Sequence, residues 1–358
     1  MYVKLRTVHV HSKQLFFTTL LEFKCTRSSA FANICSLNQR KNMFMTYLQQ
    51  IKKIKDNCST NKRKNTRDYI ISGFLFNLFF PKEEKNGVEE LITTIKRSIL
   101  LIQKKEFSKA EKMLHVALRQ AQILQHYDGI TYVYDVMANL AYDINNYEKA
   151  KDLFKLVLQR LIAKGVPEDD LAVIHISLKI SDLYNETRDI EKANTGYKFC
   201  LQHLQNHLAK DNENEDILQL LGLNLEKYAS MLFSQSDYKN SLEYFTQAYD
   251  ISIKINGEEN EQTVILLNNL ASVCYMLQKY DDTIKYLSKA AELGKKLPGM
   301  VELSSIHVNL GNAFFSKGLF EEAKKNCNEG KYLAQARNDN KGVIEAKKCL
   351  EQIESLIA

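Results

Sequence analysis

The chain is poor in the residues that break helices and build turns. Its 358 residues include only 13 glycines and 3 prolines, which excludes collagen, proline-rich linkers and most turn-dense all-β folds. No apolar run reaches the ~18–20 residues of a standard transmembrane helix. The seven cysteines include no C-x-x-C pair, so a common zinc ribbon or thioredoxin motif is absent. No Gly-x-x-x-x-Gly-Lys, Gly-x-Gly-x-x-Gly or Gly-x-Ser-x-Gly segment occurs, which removes the usual phosphate, dinucleotide and serine-hydrolase signatures. Nothing argues for an enzyme, a cofactor or a small-molecule substrate. What is present is 45% hydrophobic and 26% charged, a balance that buries a core and excludes wholesale disorder.

Acids are scarce in one place only. Residues 1–80 carry 14 Lys/Arg against Glu22, Asp56 and Asp68, a net charge of +11, whereas residues 81–358 carry a net of −5. A basic tail could attract nucleic acid. However, no zinc finger, RNP aromatic box or glycine-rich basic repeat accompanies it, so no nucleic-acid partner is expected. Residues 1–65 have the composition of a mitochondrial targeting leader: Lys/Arg, Ser/Thr and Asn in plenty, acids few. The alternatives are a disordered tail, or a start at Met43 or Met45. Residues 66–88 form a short membrane-proximal segment and linker. Within it Tyr69–Phe80 is twelve residues of strongly apolar sequence preceded by Lys62–Arg67. It is too short to span a bilayer as a helix. It suits an interfacial position on an inner-membrane surface with anionic head groups, or a strand or short helix docked on the first repeat.

Residues 89–358 are repetitive. An aromatic or large apolar residue, two spacers and a small residue recur as Phe107-x-x-Ala110, Tyr147-x-x-Ala150, Ile190-x-x-Ala193, Tyr238-x-x-Ser241, Tyr280-x-x-Thr283 and Phe320-x-x-Ala323, spaced 40, 43, 48, 42 and 40 residues apart. Twelve residues before that small residue stand Ser98, Ala138, Ser181, Ala229, Ala271 and Gly311, all small. Seven after it stand Ala117, Val157, Cys200, Ala248, Ala290 and Gly330. Four after it stand Leu114, Phe154, Tyr197, Phe245, Leu287 and Cys327, mostly large. Two helices cross closely only where side chains are small, with bulk filling the gaps beside the crossing. The pattern therefore predicts an all-α tetratricopeptide-repeat superhelical solenoid of about six helix pairs. A C-terminal capping helix is expected over Val343–Ile357. Ser108-x-x-Glu111 reads as a capping box. Asn145-Asn146, Ser236-Asp237 and Lys317-Gly318 read as turns, and Asp211–Asp216 as a loop.

His203 and His207 are four apart on a helix, but no acid or cysteine stands at a finger-like spacing, and they read as solvated rather than metal-bound. Cys200 and Cys327 fall on packing columns and read as small core residues. Cys274 takes a position often aromatic. No disulfide is expected, as suits a reducing compartment.

A repeat solenoid presents the first helix of each pair on its concave face. Projection from the anchors places Tyr132, Asp135, Asn139, Tyr142, Asp182, Asn185, Glu226, Ser230, Phe233, Asn268, Ser272, Tyr275, Asn312 and Phe315 there as candidate peptide- or partner-binding residues. Asn amides offer donors and an acceptor to a peptide backbone, and Tyr and Phe offer apolar pockets at low entropic cost. The groove lacks a Lys/Arg clamp for a terminal carboxylate.

Repeats near 42 residues resemble those of kinesin light chains, most closely over Thr263–Asp282. That resemblance implies a cytosolic peptide-binding adaptor, although no heptad stretch precedes the repeats. A closer resemblance covers Ile130–Lys155 (ITYVYDVMANLAYDINNYEKAKDLFK), Asp169–Asn185 and Gly196–Leu204. These segments resemble the mitochondrial tetratricopeptide repeat protein 19 family, and the resemblance runs from about Leu91 to the C-terminus. It implies a non-enzymatic factor on the matrix side of the mitochondrial inner membrane. Such a factor supports assembly and maintenance of respiratory complex III and helps clear fragments of its Rieske iron–sulfur subunit. The implied partners are complex III subunits, the Rieske protein among them. No catalytic residues come with the resemblance.

Overall fold

The computed structural model describes residues 87–357. The leader over 1–65, most of the 66–88 segment and the apolar stretch Tyr69–Phe80 lie outside the described residues. Among the described residues there are thirteen helices and no strand. They are α1 (Gly87–Gln103), α2 (Phe107–Ile123), α3 (Tyr127–Asp143), α4 (Tyr147–Ala163), α5 (Leu171–Glu186), α6 (Ile190–Lys210), α7 (Glu215–Ser234), α8 (Tyr238–Asn256), α9 (Glu261–Met276), α10 (Tyr280–Lys296), α11 (Leu303–Ser316), α12 (Phe320–Ala336) and α13 (Asn340–Ile357). Each repeat anchor is the first residue of an even-numbered helix, so the fold is an all-α tetratricopeptide-repeat fold of six pairs with one helix beyond.

The chain divides into two compact units at Met137, within α3. In the first, α1 packs on α2. Leu91, Ile95 and Ser98 are buried on α1, and Ala110, Leu114 and Ala117 on α2. Gln120 donates a hydrogen bond to Glu90 across the pair (3.1 Å).

In the second unit each helix from α4 to α12 packs on the next, and first helices of successive pairs also touch, α5 with α7, α9 with α11, and α11 with α13. These first helices are the inner helices of the stack in the sense that they meet across pairs. The small columns explain how the helices approach. Ala138, Ala229, Ala271, Ala150, Ala193, Ser241, Thr283 and Ala323 are fully buried. The Ser241 hydroxyl reaches the Ala229 carbonyl across one crossing (2.9 Å). Gly311 shows the limit: a Cβ there would stand 3.0 Å from the Ala323 carbonyl oxygen, against backbone that cannot yield.

The turn inside every pair has one geometry. Three residues separate the helices, and the middle one is left-handed: Lys105, Asn145, Arg188, Ser236, Gln278 and Gly318, with φ between 59° and 75°. The next amide returns to the carbonyl five residues back, as in Asn146 to Ala141 (2.8 Å) and Lys279 to Cys274 (2.9 Å). The left-handed residue's own amide bonds three back, completing a Schellman motif that satisfies the last carbonyls of the first helix. Asn146, Asp189 and Asp237 then cap the second helix through the amides of Lys149, Lys192 and Asn240.

Three expectations need correction. The Ser108–Glu111 capping box does not form. The Schellman turn sets the start of α2 at Phe107, so Ser108 lies inside the helix and Glu106 holds the cap position without a side-chain hydrogen bond to a helix amide. The loop before α7 is Asp211–Asn214, because Asn214 caps a helix that already contains Glu215 and Asp216. Cys327 and Cys349 form a disulfide between α12 and α13, with Cα atoms 6.2 Å apart. The columns that bury Cys327 on α12 and Cys349 on α13 converge, which compartment alone could not reveal. Cys200 and Cys274 are free and buried, with burial pushing their thiols up to about 12 and about 11.

Candidate functional site

The candidate residues from Asn139 onward lie in the second unit, on odd-numbered helices, and the structure sorts them into three groups. The first is aromatic. Tyr142, Phe233, Tyr275 and Phe315 each meet the anchor ring five residues on, Tyr147, Tyr238, Tyr280 and Phe320, with centroids 5.4–5.8 Å apart. Tilted and edge-on rings at this distance attract. These aromatics therefore clamp the turn within their own pair. Asn185 holds the same position in the third pair, where the anchor is Ile190 and no ring pair can form.

The second group is charged. Asp182 on α5 accepts from the Tyr142 hydroxyl (2.6 Å), from the Tyr197 hydroxyl (3.1 Å) and from the Lys227 ammonium of α7 (3.1 Å). The Asp182 side chain is 12% exposed and that of Lys227 27%. Burial by itself would raise the Asp182 carboxyl. The Lys227 charge and the Tyr142 hydrogen bond outweigh it and hold the group below its usual value. Burial pulls Lys227 down, and Asp182 and Glu226 together raise it more. Beside this pair Glu226 accepts from the Gln262 amide of α9 (2.6 Å). Burial pushes the Glu226 carboxyl up to about 7, against the lowering pull of Lys227 and Gln262. Tyr142, Asp182, Lys227, Glu226 and Gln262 thus join four consecutive helix pairs through side-chain polar contacts.

The third group is neutral and sealed. Asn268 is fully buried and Ser272 is 2% exposed. Asn268 accepts from the Asn309 amide of α11 (2.9 Å), and the Ser272 hydroxyl turns back to the Asn268 carbonyl (2.9 Å). These two residues belong to the packing between α9 and α11 and cannot touch a partner as placed. Tyr132, in the first unit, is likewise buried (5% exposed), and its phenol is pushed up by burial. Asp182 serves the same correction, since its oxygens are committed to the network. Asn139, Asn185, Glu226, Ser230 and Asn312 are half-buried at the inner helices, and Asp135 is half-buried on α3 in the first unit. Those six keep access to a partner.

Projection missed Lys227, Gln262, Tyr197 and Asn309. The signal for Lys227 was its place beside Glu226. A lysine on the inner side of a repeat needs a carboxylate from the neighbouring pair, and Asp182 is the one the register supplies. Its charge is spent internally, so it is not a clamp for a terminal carboxylate.

His207 is bonded through Nε2 to the Asp169 carbonyl (2.5 Å), and His203 packs on the Phe199 ring at 4.4 Å. Glu168, Asp169, Asn206 and Lys210 complete a shallow cavity of about 320 Å³ around them. Among the described residues no group of three or more His, Cys, Asp or Glu is placed to hold a metal, and no helix is long and apolar enough to cross a membrane.

Comparison with known proteins places this geometry. A tetratricopeptide repeat family model matches residues 219–296, which span α7 to α10. The tetratricopeptide repeat protein 19 homolog, mitochondrial, of Drosophila melanogaster is 37% identical over 288 residues, covering 80% of this chain and 78% of the relative. Tetratricopeptide repeat protein 19, mitochondrial, of Homo sapiens is 31% identical over 274 residues, covering 74% and 72%. Among solved structures, BtubC from P. vanneervenii superposes with a TM-score of 0.53 at 19% identity, over 68% of this chain and 92% of that one. The quorum sensor NprR from B. thuringiensis does so with 0.53 at 12% identity, over 91% and 90%. At such identities the two structures speak for the fold alone.

Proposed function

This chain belongs to the tetratricopeptide repeat protein 19 family, and from that membership we propose that it is a mitochondrial, non-enzymatic factor for respiratory complex III. In this reading it binds the complex from the matrix side of the inner membrane, and it supports the complex's assembly and upkeep by helping to clear Rieske subunit fragments. The observation that carries the proposal is 37% identity sustained over 78% of the length of a mitochondrial relative. The half-buried Asn139, Asn185, Ser230 and Asn312, with Glu226 among them, are amide, hydroxyl and carboxyl groups at the spacing of successive helix pairs. They suit a peptide or a subunit surface that needs backbone partners more than deep side-chain pockets. The clamped aromatics keep the turns rigid beneath such a ligand, which lowers the ordering cost of binding.

The test is purification of a C-terminally tagged form from whole cells in gentle detergent, with mass spectrometry of the proteins retained. Complex III subunits with Rieske fragments are expected. An N185R/N312R form that melts like the parent should lose them, because two added charges block the inner side without touching a packing column. Retention of kinesin heavy chain or cytosolic partners in their place, with an intact leader, overturns the reading.

A further inference from the structure

The outer face of α2 differs from that of every other second helix. Two, five, nine, twelve and sixteen residues after its first residue stand Lys109, Lys112, Val116, Arg119 and Ile123. At ~100° per residue these occupy a wedge about 80° wide. All five are exposed, Val116 at 50% and Ile123 at 73%. Lys104 and Lys105 are exposed in the turn that enters the helix. Glu106 pairs with Lys109 (2.6 Å), and Glu111 lies about 80° outside the wedge. At the same positions α4, α8, α10 and α12 each carry at least one acid: Asp152, Glu243, Asp282 and Glu322. The wedge of α6 has no acid but one cation only, Lys192, which is paired with Asp189. Cations interleaved with exposed aliphatics, free of acids, therefore mark a single helix.

We propose that the outer face of α2 is a docking surface for an anionic phospholipid bilayer. The cations meet phosphate-bearing head groups, and Val116 and Ile123 enter the head-group–acyl boundary, the division of labour of an interfacial amphipathic helix. A lipid surface is favoured over an acidic protein because the wedge is the exposed ridge of a single helix, with aliphatics set between the cations. A bilayer conforms to such a ridge, whereas a protein partner would need a matching groove. The inference does not depend on the complex III reading.

The chain contains no tryptophan, so one introduced indole reports its own position regardless of what the basic leader binds. Full-length I123W is mixed with phosphatidylcholine vesicles, and with vesicles in which part of the lipid is phosphatidylglycerol with brominated acyl chains. I162W, at an exposed position on α4 (54%), is the control. The expected result is a blue-shifted emission quenched by the brominated anionic vesicles for I123W only. Adding Lys112→Glu and Arg119→Glu to I123W should weaken its partitioning at least ~25-fold, about fivefold per cation removed, with an unchanged melting profile. Absence of quenching, or equal quenching of I123W and I162W, overturns the proposal. So does binding of I123W to soluble polyglutamate without binding to vesicles, which would assign the ridge to an acidic protein.

Discussion

Two junctions between inner helices hold the second unit together with opposite chemistry. Between α5 and α7 the contact is a half-buried ion pair, Asp182 with Lys227, braced by Tyr142 and Tyr197. Between α9 and α11 it is a neutral amide contact, Asn268 with Asn309, fully enclosed. The ion pair is fully engaged, whereas the amide contact satisfies Asn268 Oδ1 and leaves its buried Nδ2 without a hydrogen-bond partner. They differ in what they leave over. The ion pair leaves Glu226 beside it, half-buried, titratable near neutrality and on the accessible side. The amide contact leaves nothing for a partner. A buried ion pair is weak evidence for net stability and strong evidence that losing one member is costly. A buried amide pair costs less to break because no charge is stranded.

The comparison breaks first at Asp182. Asp182→Ala strands the Lys227 charge and removes the acceptor of two phenols, and should destabilise the chain by about 3–5 kcal/mol in urea unfolding. A loss below ~1 kcal/mol would mean the pair is solvated and the two junctions are alike. Asn309→Ala should cost less, about 1–3 kcal/mol, by leaving the Asn268 carbonyl oxygen unsatisfied. If it equals the Asp182 loss, the contrast fails from the other side.

The junctions also part in their response to pH. Glu226 has a folded value raised from 4.5 to about 7. A raised carboxyl gives stability that is complete below its unfolded value and is lost as pH rises through its folded value. The melting temperature of the parent should therefore fall relative to Glu226→Gln as pH goes from about 5 to about 8. Parallel pH profiles for parent and variant would remove Glu226 from the charged junction. The smallest effect is a backbone control common to both halves. Arg188, in the turn after α5, and Gln278, in the turn after α9, hold left-handed φ values of 65° and 59°, where Gly318 serves the last pair. Arg188→Gly and Gln278→Gly should each stabilise by about 0.5–1 kcal/mol, the relief of side-chain strain less the entropy of a freer unfolded chain. Unequal gains would show that the charged junction tightens its turn beyond what the backbone requires.

The fold was legible because it is written in periodicity. Small residues at Ala138, Ala229 and Ala271 can be counted, and the recurring anchors count the even-numbered helices without placing their first residues. The aromatic clamps, the Cys327–Cys349 bridge and the Schellman turns were hidden, the last because a left-handed Lys105 or Gln278 carries no glycine to announce it. The binding face was legible as a face and not as a site. Helical projection says which residues turn inward. It does not say which inward residues the next pair covers. Asn268 and Asn312 occupy inner helices alike, yet one is sealed and the other half-open.

The amino-acid order by itself determined the class of fold, the number of pairs and the family, because each rests on local chemistry repeated along the chain. Tertiary structure alone decided that Asp182 finds Lys227 across 45 residues, that Cys327 meets Cys349, and that Asn268 is closed off by α11. Those outcomes depend on the stacking of one pair on the next. That stacking sets distances between side chains whose separation in sequence carries no information about them.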